Sequence, residues 1–260
     1  MKKLVYLLIG ALLCFSLLGC SNEKAANALK DAIYLDQPVI NPANEGKLVI
    51  IHGVAKMSKG AQDPDLGLTF DSPSVIREVQ VLTAQTRTTS TTTTTKTDDK
   101  KNTSSQTTQT KKTTEYVWKD NNTKSDRAPW KKETFTGEAK IGQFTITGNP
   151  LNSMFSTKKI AVTRDMASRS GMNYWKQGIA TRAFLTNRRI AEHFMQVGSE
   201  LRAQNEGVSR ISYTGREKVA NGEYTIAGIQ QNGKLVSTKD FTIQCYSGIL
   251  TKEQMIEKNK

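Results

Sequence analysis

Val75-Ile76-Arg77-Glu78-Val79-Gln80-Val81-Leu82 runs without a break into residues 83–114, a polar tract rich in threonine, and the chain leaves that tract through Tyr116-Val117-Trp118. The first eight residues are dense in β-branched side chains and predict a strand. By composition the tract is low complexity, of a kind often disordered. Threonine nevertheless favours extended backbone, and strand-like residues flank the tract on both sides. Asp98-Asp99-Lys100-Lys101-Asn102 suits a reversal near its middle. The stretch therefore predicts a long, solvent-exposed two-stranded hairpin. A hairpin with so little to bury is marginal alone, so a sheet must lie at its base.

Such a sheet is legible on either side. Lys47–Gly53 is β-branched and closed by glycine, which predicts a strand. Asp63-Pro64-Asp65-Leu66-Gly67 predicts a turn, framed by proline and glycine. Ile141–Thr147 is extended, and Asn149-Pro150 opens a short helix through Phe155. Ser209–Tyr213, Glu223–Ile229 and Phe241–Tyr246 predict strands, with Asn221-Gly222 and Asn232-Gly233 as turns. Thr251 is placed to cap a last helix from Lys252. Ile179, Ala183, Phe184, Ile190, Ala191, Phe194, Met195 and Leu201 fit helical spacing, so residues 179–201 read as helix. The fold class expected is α+β: mainly antiparallel sheet, a long threonine-rich hairpin and a few short helices.

The N-terminus has a different character. Met1-Lys2-Lys3 precedes an apolar run, Leu4–Phe15, shorter than the ~20 residues that span a bilayer comfortably. That is the layout of an export signal. The run ends Leu17-Leu18-Gly19-Cys20, which resembles the lipobox of bacterial lipoproteins. There the cysteine thiol takes up a diacylglyceryl group, and the small Gly19 lets a peptidase reach the preceding bond. Leu18 is bulkier than the residue often found at its place. The organisation expected is a signal peptide at 1–19, a lipidated N-terminus and tether at 20–40, and an extracytoplasmic domain at 41–256 containing the 83–114 tract. Ser21 follows Cys20 with no aspartate. That is the default outer-membrane pattern in a Gram-negative cell, and the outer face of the cytoplasmic membrane is the expectation otherwise.

The formal charge of the full chain is +13, and losing Lys2 and Lys3 with the signal lowers it by two. Exported away from nucleic acid, such a body is attracted to lipid headgroups and cell-wall polymers. Lys158, Lys159, Arg164, Arg169, Lys176, Arg182, Arg188 and Arg189 face one acid, Asp165, across residues 157–189, with Tyr174, Trp175 and Phe184 interspersed. Lys158, Lys159, Arg182, Arg188 and Arg189 are the candidate surface-binding residues. The plainer reading is a solvated face on a helix pair, since charge runs alone specify no ligand. Of the three cysteines, Cys14 leaves with the signal and Cys20 is acylated. Cys245 remains without a disulfide partner and reads as a buried strand thiol.

No catalytic constellation is legible. His52 and His193 are the two histidines. Metal-ligand spacings, a GxSxG elbow, a phosphate loop and a dinucleotide fingerprint are all missing from the sequence. Asp63 and Asp65 read as turn residues, because a lone Asp-x-Asp falls far short of a calcium ligand set. No metal, cofactor or enzymatic activity is expected.

The ordered motifs Asn41–Gly53, Asp63–Gly67, Arg77 with Val79 and Gln80, Tyr116 and Trp118, Ile141–Phe144, Arg210–Tyr213, Tyr224–Gln230 with Gly233–Leu235, and Gly248–Met255 resemble the extramembrane domain of the transmembrane protein 43 (LUMA) family. The resemblance spans roughly residues 28–156 and 208–256, read from motif order. It suggests a strand near Ile190–Val197, where periodicity suggests helix. Family members carry membrane spans on both sides of this domain. Here a lipobox stands in place of the first, which implies a domain re-anchored by lipid. The functional expectation is a non-catalytic envelope lipoprotein acting as a binding or scaffold module, with a possible protein partner. The alternatives are a binder of anionic cell-wall polymer or lipid through 157–189, and an envelope hydrolase with carboxylates that meet only in space.

Overall fold

The computed structural model describes residues 23–96, 104–124, 129–177, 182–190 and 206–260. The expected signal peptide, Cys20, the expected reversal at 98–102, His193 and most of the helix expected over 179–201 lie outside them.

In chain order, helix α1 (residues 23–30) leads into β1 (Ile33–Tyr34), β2 (Leu48–Lys59), β3 (Gln62–Asp63), β4 (Leu68–Thr69), β5 (Ser74–Lys96) and β6 (Ser104–Asp120). Then come β7 (Glu133–Thr136), β8 (Glu138–Ile141), β9 (Phe144–Thr147), α2 (Pro150–Met154), β10 (Phe155–Ile160) and α3 (Arg164–Ser170). The C-terminal part is β11 (Asn173–Gln177), β12 (Arg182–Thr186), β13 (Ser209–Gln231), β14 (Lys234–Val236), β15 (Gln244–Ser247) and α4 (Lys252–Glu257). The chain is α+β, built on a large, mainly antiparallel sheet.

β13 is the spine of that sheet. Along one edge it pairs with β5 and then with β2. Along the other it meets β12, β10, β15 and β14 in turn. The spine runs straight through Asn221-Gly222, which the sequence predicts as a turn. Its register with β2 shifts between Val219 and Glu223, and Gly222 has φ 142. The pair forms a bulge that redirects the strand, as glycine inside a strand commonly does. Asn232-Gly233 is a true two-residue hairpin, with φ of 49 and 72, both positive as a type I′ turn requires.

Apolar residues fill both faces of this sheet. Val49, Ile51, Phe144, Ile146, Phe155 and Ile226 form one core, and Leu66, Val75, Val79, Leu185, Ile211 and Tyr213 another. The segment expected as a tether at 20–40 joins the packed domain from residue 23 on. Ala26, Leu29 and Ala32 are buried, and Leu29 and Ala32 cluster with Ile50, Ala227, Phe241 and Met255. Ile33 and Tyr34 pair in parallel with Val49 and Ile50. The three-residue spacing of the small and apolar residues puts them on one helix face, and burial of that face holds the segment down.

The threonine tract is a hairpin. β5 and β6 are in register at every pair from Gln80↔Asp120 to Lys96↔Ser104. β13 leaves β5 at Val81, so beyond it a two-stranded arm continues for ~45 Å at the rise of a strand. Side chains 85–92 and 108–115 are exposed on both faces and include no apolar residue. Residues 182–186, expected as helix, are the strand β12 instead. Its Phe184 and Leu185 are buried on opposite faces, against different cores. A two-sided strand shows continuous rather than alternating hydrophobicity, which a helical template also accepts.

Candidate functional site: a basic cleft beside the spine

β12 and β10 lie end to end on one edge of β13. β12 pairs with Arg210 and Ile211, and β10 begins its ladder at Tyr213. The gap between them is a cleft of about 350 Å³, lined by Lys159, Ile160, Ala161, Val162, Arg182, Ala183, Ser212, Tyr213 and Thr214. Two cations are in that lining and no acid.

Strand alternation sets which side chains reach it. Ile211 and Tyr213 point into the second core, so Ser212 and Thr214 point the other way. Lys159 is the registered partner of Thr214 and shares its face. Arg182 is turned toward the spine by two contacts: Nη2 donates to Ser212 Oγ at 3.4 Å, and the guanidinium lies 5.3 Å from the centre of the Phe184 ring. Among the described residues neither Lys159 nor Arg182 forms a salt bridge. The acid on the adjoining strand, Glu78, is matched in register with Ser212, but Lys132 holds its carboxylate at 3.1 Å.

Next to the cleft sits Arg210, sandwiched between Trp118 at 4.3 Å and Phe184 at 4.6 Å. Its Nε and Nη2 donate to Gln80 Oε1 at 2.9 and 2.6 Å. Burial, and after it the like charge of Arg182, lower the Arg210 guanidinium to about 10, with Asp120 opposing. Trp175 packs at a tilt against both Trp118 and Phe184, with ring centres 5.9 and 5.7 Å away, and completes the aromatic wall.

No family model, curated protein or solved structure matches this chain. The cleft has to be read from its own chemistry.

Of the five candidate surface-binding residues, Lys159 and Arg182 come together. Lys158 falls on the opposite face of β10, paired with Gly215. Arg188 and Arg189 are exposed in the bend after β12, more than ~13 Å along the strand from Arg182. The helix pair expected to display the basic residues does not form over 182–186. Strands β10, β11 and β12 and the seven-residue α3 carry Lys158, Lys159, Arg164, Arg169, Lys176 and Arg182 instead, and Arg188 and Arg189 follow β12. Ser212 and Thr214 escaped the sequence reading, since small hydroxyls in a strand carry no local signal of a ligand.

A second polar cluster was also missed. Arg77, expected as an ordinary strand residue, is fully buried. It donates to Asp63 at 2.7 Å, Asp65 at 2.9 Å, Glu133 at 3.1 Å and the Lys131 carbonyl at 3.1 Å. Tyr213 donates to the second oxygen of Asp63 at 2.8 Å. Burial and the Asp63 carboxylate hold the Tyr213 phenol far above its ordinary value. Carboxylates do meet in space here, but around an arginine that saturates them. Asp63 and Asp65 thus do more than shape a turn: they bind the β3–β4 loop to the sheet. Among the described residues, no group of three His, Cys, Asp or Glu side chains is placed to hold a metal ion.

Cys245 lies on β15 as a half-buried thiol beside the first core. The strand begins at Gln244, later than the expected Phe241. Burial pushes the thiol up, partly offset by the Ser153 hydroxyl 3.7 Å away. That disfavours the reactive thiolate. His52 stacks on Tyr34 at 5.8 Å, a packing role.

Proposed function

We propose that this chain is an exported lipoprotein, acylated at Cys20 and held on the cell envelope, that works as a non-catalytic binding module for an anionic envelope component. The observation that carries the reading is the cleft with Lys159 and Arg182 and no acid in its lining. Unmatched cations beside a polar floor attract anions and do no bond chemistry by themselves. One acyl chain binds a membrane marginally, at ~0.8 kcal/mol per buried CH₂, whereas two or three anchor it stably. Ala26 is already buried in the domain, so the body would ride close to an anchor at Cys20. The resemblance to the extramembrane domain of the transmembrane protein 43 family agrees with a membrane-adjacent, non-enzymatic role.

The test is sedimentation of the full chain with isolated envelopes at rising salt. Binding through the cleft should fall steeply as the Debye length shrinks from ~10 Å at 0.1 M to ~3 Å at 1 M. It should weaken in Lys159→Gln and in Arg182→Gln. Binding indifferent both to salt and to these substitutions would sink the reading.

The protruding arm favours a second reading, contact with an envelope protein. Its strands offer backbone edges that an extended partner segment can join. Crosslinking from residues 85–92 that repeatedly captures one protein would support it.

A further inference from the structure

The donors around the cleft are specific enough to name the group it takes. Lys159 and Thr214 are directly opposed on neighbouring strands, so their Cβ atoms are ~5 Å apart. The facing wall supplies the exposed Arg182, which contacts the Phe184 ring and the Ser212 hydroxyl. In that contact Ser212 accepts, which leaves its own proton to be donated outward. An ammonium, a guanidinium fork and two hydroxyls therefore border one opening from two sides. The lining side chains supply no carboxylate that would accept in return.

We propose, resting on the binding-module reading above, that this cleft receives the phosphate group of a phosphate ester carried by an envelope polymer or lipid. Geometry favours phosphate over carboxylate. A carboxylate presents two oxygens in one plane, which a single arginine fork satisfies. Phosphate oxygens point tetrahedrally, so the fork on one wall and the ammonium on the other can be engaged together while a hydroxyl reaches a third oxygen. Arg182 suits the paired contact and Lys159 the point-charge contact. The volume of about 350 Å³ exceeds what phosphate alone fills. It falls at the small end of ligand clefts, which start near ~300 Å³, and so leaves room for the glycerol or sugar that bears the ester.

The experiment uses the full chain in neutral detergent, titrated with inorganic phosphate, glycerol 3-phosphate and, at matched ionic strength, acetate. Both phosphates should raise the unfolding temperature and register heat of binding, with acetate inert. Lys159→Gln and Arg182→Gln should each weaken phosphate binding about tenfold, the equivalent of ~1.4 kcal/mol, while unfolding as cooperatively as the parent. Arg182→Lys, which keeps the charge and loses the fork, should recover part of the affinity. Phosphatidylglycerol vesicles and a soluble poly(glycerol phosphate) then separate a lipid source from a polymer source. Acetate binding as well as phosphate, or folded variants that bind phosphate unchanged, would overturn the proposal. Envelope binding that stays salt-sensitive but is not competed by phosphate would also overturn it, leaving the broader reading in place. Phosphate binding without any envelope binding would do the reverse.

Discussion

Arg77 Nη1 lies 2.7 Å from Asp63 Oδ1, and neither side chain reaches solvent. The pair joins the loop between β3 and β4 to the middle of the sheet. Tyr213, Asp65, Glu133 and the Lys131 carbonyl extend the network around it. A buried pair networked in this way is costly to break from one side, because the survivor stays buried and uncompensated. Arg77→Met should therefore lose about 3–5 kcal/mol of stability, read as a lower urea midpoint at unchanged m-value. A double variant, Arg77→Met with Asp63→Asn, should recover part of the loss, since it removes the orphaned charge. A single variant as stable as the parent would mean that the loop is held by something else.

Acid should act on the same cluster through Asp65. Burial pushes its carboxyl up, but hydrogen bonds from Arg77 and Lys124, aided by their charges, outweigh burial and leave it below its ordinary value. A depressed carboxyl stabilises the fold above its unfolded value, ~3.9, and that contribution fades as pH falls through the lower folded value. Stability followed from pH 7 downward should drop below about pH 4 in the parent. In Asp65→Asn it should start lower and fall less steeply over that window. Parallel curves for the two proteins would remove Asp65 from the acid response.

What the sequence made legible follows from how local each signal was. The hairpin was readable because threonine propensity, flanking strands and a charged reversal agree over one continuous stretch. Asn232-Gly233 was readable because both positions need positive φ. Asn221-Gly222 carries the same dipeptide, yet the neighbours β2, β15 and β10 hold the chain extended through it, and only a bulge remains. The strand at 182–186 misled because burial on both faces erases alternation. The Arg77 cluster and the cleft were out of reach for another reason. Their residues are far apart in the chain, such as Asp63 with Tyr213 and Lys159 with Arg182, and only the pairing of β13 with its neighbours and of β5 with β7 brings them together. The basic region contains both cations that line the cleft, but the choice of Lys159 over Lys158 rests on strand register.

The arm should be separable from the fold. Its exposed residues bury nothing, and a free two-stranded ribbon is marginal in water. Replacing residues 86–114 by Asn-Gly, so that Gln85 and Glu115 still pair as they do now, should change stability by no more than about 0.5 kcal/mol. In the parent, trypsin should cut first at Arg87, Lys111 and Lys112 and leave the rest resistant. Loss of cooperative unfolding in the shortened chain would show that the arm, or what it touches, supports the core.

The anchor can be tested through the distribution of cysteines. The chain has three, and each makes a different prediction under palmitate labelling in cells. Cys14 lies inside the apolar run that the lipobox reading removes, so Cys14→Ser should leave labelling intact. Cys245 is half-buried with its thiol pushed up by burial, and Cys245→Ser should also leave labelling intact. Cys20→Ser should abolish the label, because no second thiol stands at the end of the N-terminal apolar run. It should also shift the protein from the membrane fraction, since electrostatic attraction alone adds only ~1 kcal/mol per basic residue near an anionic surface and fades with salt. A Cys20→Ser protein that still carries label, or that stays membrane-bound in high salt, would remove lipid anchoring and require another attachment for the body.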